Sequence, residues 1–220
     1  MIARGRPRRR LGRACGCLLV IVVLVLVLGG VVAAQALATP DLGAPPGGAD
    51  NGSSQNAIAT RLGTGLGAQL LLRQHGVVEL SEHDLTVLIR EHNPNPARLQ
   101  EPEIRVRNAL VAVDAHTPVG PFNVWAVARL ALARTLDSGG VPQVSASFHD
   151  IQVGNLGLPD TVTHAIQDRV QSAFDLQDLL GSDPTLKAAR QYLECVRVSG
   201  TVVRIGFHRP DAAADAHACG

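Results

Sequence analysis

From Ala14 to Ala34 the chain carries no charged residue, and Leu18 to Leu28 is an unbroken series of Leu, Val and Ile. Wound as a helix at about 1.5 Å per residue, this stretch extends about 31 Å, enough to cross a hydrocarbon core about 30 Å thick. A segment of this kind has no place inside a small water-soluble core, so it divides the chain. Arg4, Arg6, Arg8, Arg9, Arg10 and Arg13 precede it, and no acidic residue does. By the positive-inside rule residues 1–13 stay cytoplasmic and everything after the apolar run lies on the outer side. Ala36-Leu37-Ala38, followed by Thr39-Pro40, has the small-residue pattern of a signal-peptidase site, so cleavage after Ala38 would release a secreted protein. The apolar run is longer than the core of an ordinary signal peptide, about 7–15 residues, which favours a retained single-pass anchor over residues 14–38 in the cell membrane.

Beyond the anchor, residues 39–56 (TPDLGAPPGGADNGSSQN) combine Pro, Gly, Ser, Asn and Asp with almost nothing apolar. They read as a flexible linker that lets the domain move relative to the bilayer. Residues 57–208 are long enough for one extracytoplasmic domain with one core, and residues 209–220 form an Ala- and Asp-rich tail. Without the six leading arginines, 14 of the 20 basic residues face 19 acidic ones, a mildly acidic balance that does not seek polyanions. Aromatic residues are 3% of the chain, too few for a base-stacking platform, so nucleic acid is not an expected partner.

The pattern within the domain is mixed. Ala57–Arg73 reads as a helix despite Gly63, Gly65 and Gly67, and Val77–Leu80 as a short strand. Ser81 is a good N-cap with Asp84 in capping-box position, ahead of an apolar face of Leu85, Leu88 and Ile89. Asn93-Pro94-Asn95-Pro96 stops that helix. Ile104, Val106 and Leu110–Val113 read as strand, Asp114–Pro121 as turn residues, and Phe122–Thr135 as a strand with Val124, Ala126, Ala128, Leu130 and Leu132 on one side and Trp125 and Arg129 on the other. Asp137-Ser138-Gly139-Gly140 is a hairpin turn into a second alternating run, Val141–Val153. Asp160–Phe174 is amphipathic, with Val162, Ile166, Val170 and Phe174 in one stripe, and a shorter helix follows Asp183-Pro184. Glu194–Val198 and Thr201–Phe207 make a closing hairpin at Ser199-Gly200. The expected class is α+β: a curved antiparallel sheet, made of a meander plus the C-terminal hairpin, packed on one long amphipathic helix and preceded by a single transmembrane helix.

Three stretches carry a resemblance: Leu80-Ser81-Glu82-His83-Asp84-Leu85, Val153-Gly154-Asn155-Leu156-Gly157-Leu158-Pro159, and Val198-Ser199-Gly200-Thr201-Val202-Val203. Together with the N-terminal anchor they resemble the YpmS-like family of bacterial single-pass envelope proteins, over residues 77–208. That family has a half tubular lipid-binding (BPI-like) domain. The resemblance implies a curved sheet cradling a helix, with an apolar groove able to take an acyl chain. Val124, Leu130 and Leu132 on the sheet and Val162, Ile166, Val170 and Phe174 on the helix would line that groove, unless the same residues fill a solid core.

Chemistry is harder to find. His83 and His92 stand nine positions apart, which does not put both rings on one helical face, so no metal site is expected. His149-Asp150 has no neighbour in sequence that would complete an acid–base pair. The exported part contains no G-x-S-x-G turn, phosphate loop, HExxH helix or CxxC, and the glycines at 63–67 lack the strand and acid that dinucleotide binding requires. No cofactor is expected. Cys15 and Cys17 lie at the cytoplasmic end of the apolar run, as plain thiols or sites of S-acylation. Cys195 and Cys219 lie in the exported part, where they either pair as a disulfide or stay free beside a loose tail. The function these readings favour is a membrane-anchored, non-enzymatic domain that binds a lipid or other apolar ligand. The alternatives are an adaptor for another envelope protein and, third, a lipid-directed hydrolase.

Overall fold

The computed structural model describes residues 26–42, 54–91, 93, 96–97, 99–119, 121–158 and 188–220. Residues 26–37 are helical (α1). There follow α2 (Gln55–Leu72), β1 (His75–Ser81), α3 (Glu82–Glu91), β2 (Gln100–Arg107), β3 (Leu110–Val119), β4 (Phe122–Leu136), β5 (Pro142–Val153), β6 (Leu156–Gly157), a 3-10 turn at Arg190–Tyr192, β7 (Leu193–Ser199) and β8 (Val202–His208). The class is α+β with antiparallel strands throughout. Instead of one sheet the described residues form two, a three-stranded sheet in the order β1-β8-β7 and a five-stranded sheet in the order β2-β3-β4-β5-β6. The long helix expected over Asp160–Phe174 lies outside the described residues. Among the described residues no helix is long and apolar enough to cross a membrane, and residues 14–25, which hold most of the apolar run, are not among them.

Strand β1 leaves the meander because its buried side chains match those of β8. The register sets Val78 opposite Ile205 and Leu80 opposite Val203, all four on the buried face. A slip of one residue would turn that whole row to solvent. Helix α2 closes this face with Ile58, Leu62 and Leu66, one side chain per turn, and α3 adds Leu85, Leu88 and Ile89. Ile104, Val106, Val111 and Leu130 of the larger sheet complete the same core. Arg134 Nε, from β4, donates to the Leu193 carbonyl of β7 at 2.9 Å and ties one sheet to the other.

Local signals explain the ends of these elements. Ser54 caps α2, its hydroxyl accepting from the Ala57 N–H at 3.3 Å. At the start of α3 the Ser81 hydroxyl accepts from the Asp84 N–H at 3.2 Å while the Asp84 carboxylate accepts from the Ser81 N–H at 3.0 Å, a reciprocal capping box. Asp137 Oδ1 accepts from the N–H groups of Gly139 and Val141 and sets the β4–β5 turn. Asn108 and Ala109, both at positive φ, form the two-residue turn between β2 and β3.

One expectation is corrected. Asp114–Val119 is strand, the second half of β3, and its residues face Val127 through Phe122 of β4. Strand β2 reaches only as far as His116, so Pro118, which has no N–H to offer, falls where no described strand lies beside β3 on that side. At the tail the paired alternative is the one present. Cys219 forms a disulfide with Cys195 (S–S 2.06 Å), and the Asp215 N–H donates to Glu194 Oε2 at 3.0 Å. A Cβ at Gly206 would collide with Cys195 Sγ, so this position of β8 requires glycine.

The joint between the two sheets is α3. Glu82, Thr86 and Arg90, one per turn, face the outer edge of β2. The Thr86 hydroxyl accepts from the Ile104 N–H at 2.9 Å, Glu82 Oε1 accepts from the Val106 N–H at 2.7 Å, and Arg90 Nε donates to the Pro102 carbonyl at 3.0 Å. Arg107 pairs with the same Glu82 carboxylate. Thr86 and Ile104 are both buried, and a buried donor left without an acceptor costs about 1–3 kcal/mol. Thr86→Val is therefore expected to lower unfolding stability by about that amount in denaturant titrations, and Thr86→Ser to restore most of it.

Candidate functional site

Side chains directly opposite in an antiparallel pair share a face. On the core side of the five-stranded sheet this gives successive rows: Val111 with Leu130, then Val113 with Ala128 and Ile151, then Ala115 with Ala126 and Val153, then Thr117 with Val124. The first of these rows belongs to the main core and Val113 packs against it, whereas Ala115, Val124 and Ile151 are buried outside that cluster. Ala126, Ala128 and Val153 are half-buried. The result is an apolar patch with alanines at its centre. Alanine fills less of such a face than Leu or Phe would.

Of the seven residues expected to line a groove, the structure brings Val124, Leu130 and Leu132 onto this one face. Leu130 and Leu132 are part of, or packed on, the solid core, and Val124 is the member that belongs to the patch. Val162, Ile166, Val170 and Phe174 lie outside the described residues. The patch gains Ala115, Ile151 and Val153, which sequence reasoning did not single out. For Ala115 the signal was hidden because Asp114, Thr117 and Pro118 around it read as turn formers.

The end of α1 meets the sheet beside this patch. The Asn155 N–H donates to the Gln35 carbonyl at 2.9 Å, and the preceding Gly154 N–H donates to the Trp125 carbonyl at 2.7 Å. Gly154 has φ +58°, and a Cβ there would collide with the carbonyls of Gln35 and Ala36. Glycine is thus required twice over at this position, by conformation and by close approach.

On the opposite face β3 buries Asp114 completely, and among the described residues neither of its carboxylate oxygens has a side-chain or main-chain partner at hydrogen-bond distance. Burial pushes Asp114 up to about 6, against the attraction of Arg105 and with help from the negative charge of Glu103. Glu103 is itself held by Arg105 at 2.8 Å and Arg90 at 3.2 Å. The ring of His116 lies against Trp125, centroids 3.8 Å apart. Asp84 behaves oppositely. Burial alone would raise it, but hydrogen bonds from Arg61 and from the Ser81 N–H and hydroxyl, with the Arg61 charge, hold it below the usual value.

Asp150 is taken by Arg129 at 2.8 Å, and His149 is the exposed residue at the irregularity between β4 and β5. Among the described residues no group of three or more His, Cys, Asp or Glu side chains could hold a metal ion.

Because Asp114 holds its proton more tightly in the folded state than in the unfolded chain, its contribution is greatest below the ordinary carboxylate value of 3.8 and is lost as pH rises through about 6. The loss amounts to about 3 kcal/mol, at 1.36 kcal/mol per pKa unit. Asp114→Asn is expected to remove this fall from a series of denaturant titrations between pH 4 and 7, and a variant with the wild-type slope would contradict the assignment. Compared with known proteins, the chain matches no protein-family model, no curated protein and no solved structure.

Proposed function

We propose that this protein is anchored in a membrane by residues 14–38 and presents on the outer side a domain that binds a lipid or similar apolar chain without catalysis. The reading is supported above all by the join of α1 to the sheet. The end of the apolar segment is bonded to Asn155, next to the Gly154 that bonds Trp125, and the alanine-centred patch starts on the strand positions flanking Trp125, at Val124 and Ala126. A hydrocarbon chain leaving a bilayer at the end of α1 would meet that patch first. The Leu26, Val27 and Leu28 side chains of α1 are more than half exposed, as residues surrounded by lipid would be. The Cys195–Cys219 disulfide belongs to an oxidising compartment, which agrees with the outward orientation inferred from the arginine tract. A half tubular lipid-binding domain of the YpmS-like kind would use its sheet in this way.

The second reading is an adaptor for another envelope protein. Leu71 and Leu72, at the end of α2, are 83% and 86% exposed, a pair of leucines that a partner could cover.

Two measurements test the proposal. Native mass spectrometry of the intact protein should show co-purified lipid, and Ala126→Phe, which fills the half-buried centre of the patch, should weaken binding of a fluorescent fatty acid by about tenfold or more, a loss of about 1.4 kcal/mol. Absence of lipid together with unchanged fatty-acid binding by the variant overturns the lipid role. A phosphatase fused to the carboxyl end should be active only outside the cytoplasm, and activity confined to the cytosol overturns the topology.

A further inference from the structure

His75, the first residue of β1, and His208, the last of β8, stand directly opposite each other. One step beyond them the Arg209 N–H donates to the Gln74 carbonyl at 2.9 Å. Hydrogen-bonded and non-hydrogen-bonded pairs alternate along antiparallel strands, so the histidines are a non-hydrogen-bonded pair, the kind whose Cα atoms are about 4.5 Å apart and whose side chains stand closer. Val78 and Ile205, three positions along, belong to the core, and the two-residue period turns the histidines to the outer face. Glu79 and Arg204 form an equivalent pair four positions further on the same face, and there the opposed side chains meet, Arg204 Nε lying 2.9 Å from Glu79 Oε1.

Both rings are held through Nδ1. That of His75 donates to the Glu194 carboxylate, 2.9 Å from Oε2 and 3.2 Å from Oε1, and that of His208 donates to the Arg209 carbonyl at 2.7 Å. Carboxylate and carbonyl oxygens accept, so in each neutral ring the proton sits on Nδ1 and the lone pair on Nε2. Neither Nε2 has a hydrogen-bond partner among the described residues. Glu194 comes from β7 and crosses β8 at Gly206, its Cγ 3.4 Å from where a Cβ would stand, and the same carboxylate accepts from the Asp215 N–H. Its side chain is fully buried, whereas that of His75 is 34% exposed and His208 is half-buried. Nδ1–H on a carboxylate or a backbone carbonyl is the support that metal-ligating histidines have, because it fixes the tautomer and makes the other nitrogen a better ligand.

We propose that His75 and His208 form a two-histidine site for a divalent transition-metal ion of the Cu²⁺, Ni²⁺ or Zn²⁺ class, bound through both Nε2 atoms and completed by water. Metal–nitrogen bonds of about 2.0–2.1 Å set the two nitrogens about 3 Å apart, a span that opposed rings of this pair type reach. Imidazole suits these metals, whereas Mg²⁺ and Ca²⁺ take oxygen ligands. The ion would clamp the start of β1 to the end of β8 and, through Glu194, to the tail. This site does not rest on the lipid reading. The test uses the full chain without an affinity tag in lipid nanodiscs, treated with iodoacetamide but no reductant, so that the Cys15 and Cys17 thiols are blocked and the disulfide is kept. Calorimetric titration is expected to show one Cu²⁺ bound per chain, about tenfold or more tighter than Zn²⁺, and no binding of Mg²⁺. Both histidines are accessible, so His75→Ala and His208→Ala should fold, as thermal melts check, and each should weaken Cu²⁺ by about tenfold or more. His217→Ala, on the exposed tail, should leave the affinity unchanged. Electron paramagnetic resonance of the Cu²⁺ complex should show two nitrogen ligands in the wild type and fewer in either single variant. No Cu²⁺ binding by the wild-type chain, or wild-type affinity in a folded His75→Ala or His208→Ala protein, overturns the proposal.

Discussion

Two sheets with different edges can share one core only if the backbone groups at their meeting edges are satisfied, and in this protein one short helix does that for both. Glu82, Thr86 and Arg90 of α3 face β2, while Asp84 of the same helix closes the end of β1. The helix thus substitutes side-chain oxygens and a guanidinium for the neighbouring strand that each edge lacks. Its apolar side chains, Leu85, Leu88 and Ile89, are free to enter the core because the polar ones are engaged elsewhere. Edges capped in this manner are also poor templates for strand addition, a hazard that natural sheets avoid by several such devices.

Much of the fold was legible in short patterns. Leu80-Ser81-Glu82-His83-Asp84 read as a strand followed by a capped helix, and the Ser81–Asp84 hydrogen bonds realise it. The alternation of Val124 through Leu132 outweighed the helix-forming composition of that stretch, and β4 runs from Phe122 to Leu136. The two-residue period survives wherever one face is buried, which is why it could be read without knowing what covers it.

What the sequence concealed falls into two kinds. Pairing of β1 with β8 joins residues more than a hundred positions apart, and no local pattern encodes it. Polar residues used in the interior were the other difficulty. Asp114, His116, Thr117 and Pro118 have the composition of a turn, yet they continue β3, and Asp114 is fully buried. Glu82, Thr86 and Arg90 look like a solvated helical face, and only the edge of β2 beside them gives the spacing meaning. Of the candidate site, the β4 face was readable and its cross-strand neighbours Ala115, Ile151 and Val153 were not, because membership in a patch depends on register.

The contact of Gln35 with Asn155 changes the role of the segment that follows α1. A linker fixed at one end only is a tether, and its length sets how far the domain strays. Here the chain is held at Gln35 and again at the Ser54 cap of α2, so both ends of the connection are fixed, as the ends of a closed loop are. Each doubling of such a loop costs only about 0.6 kcal/mol. Its length can therefore drift in evolution, or be altered by design, without changing the height at which the sheet stands above the end of α1.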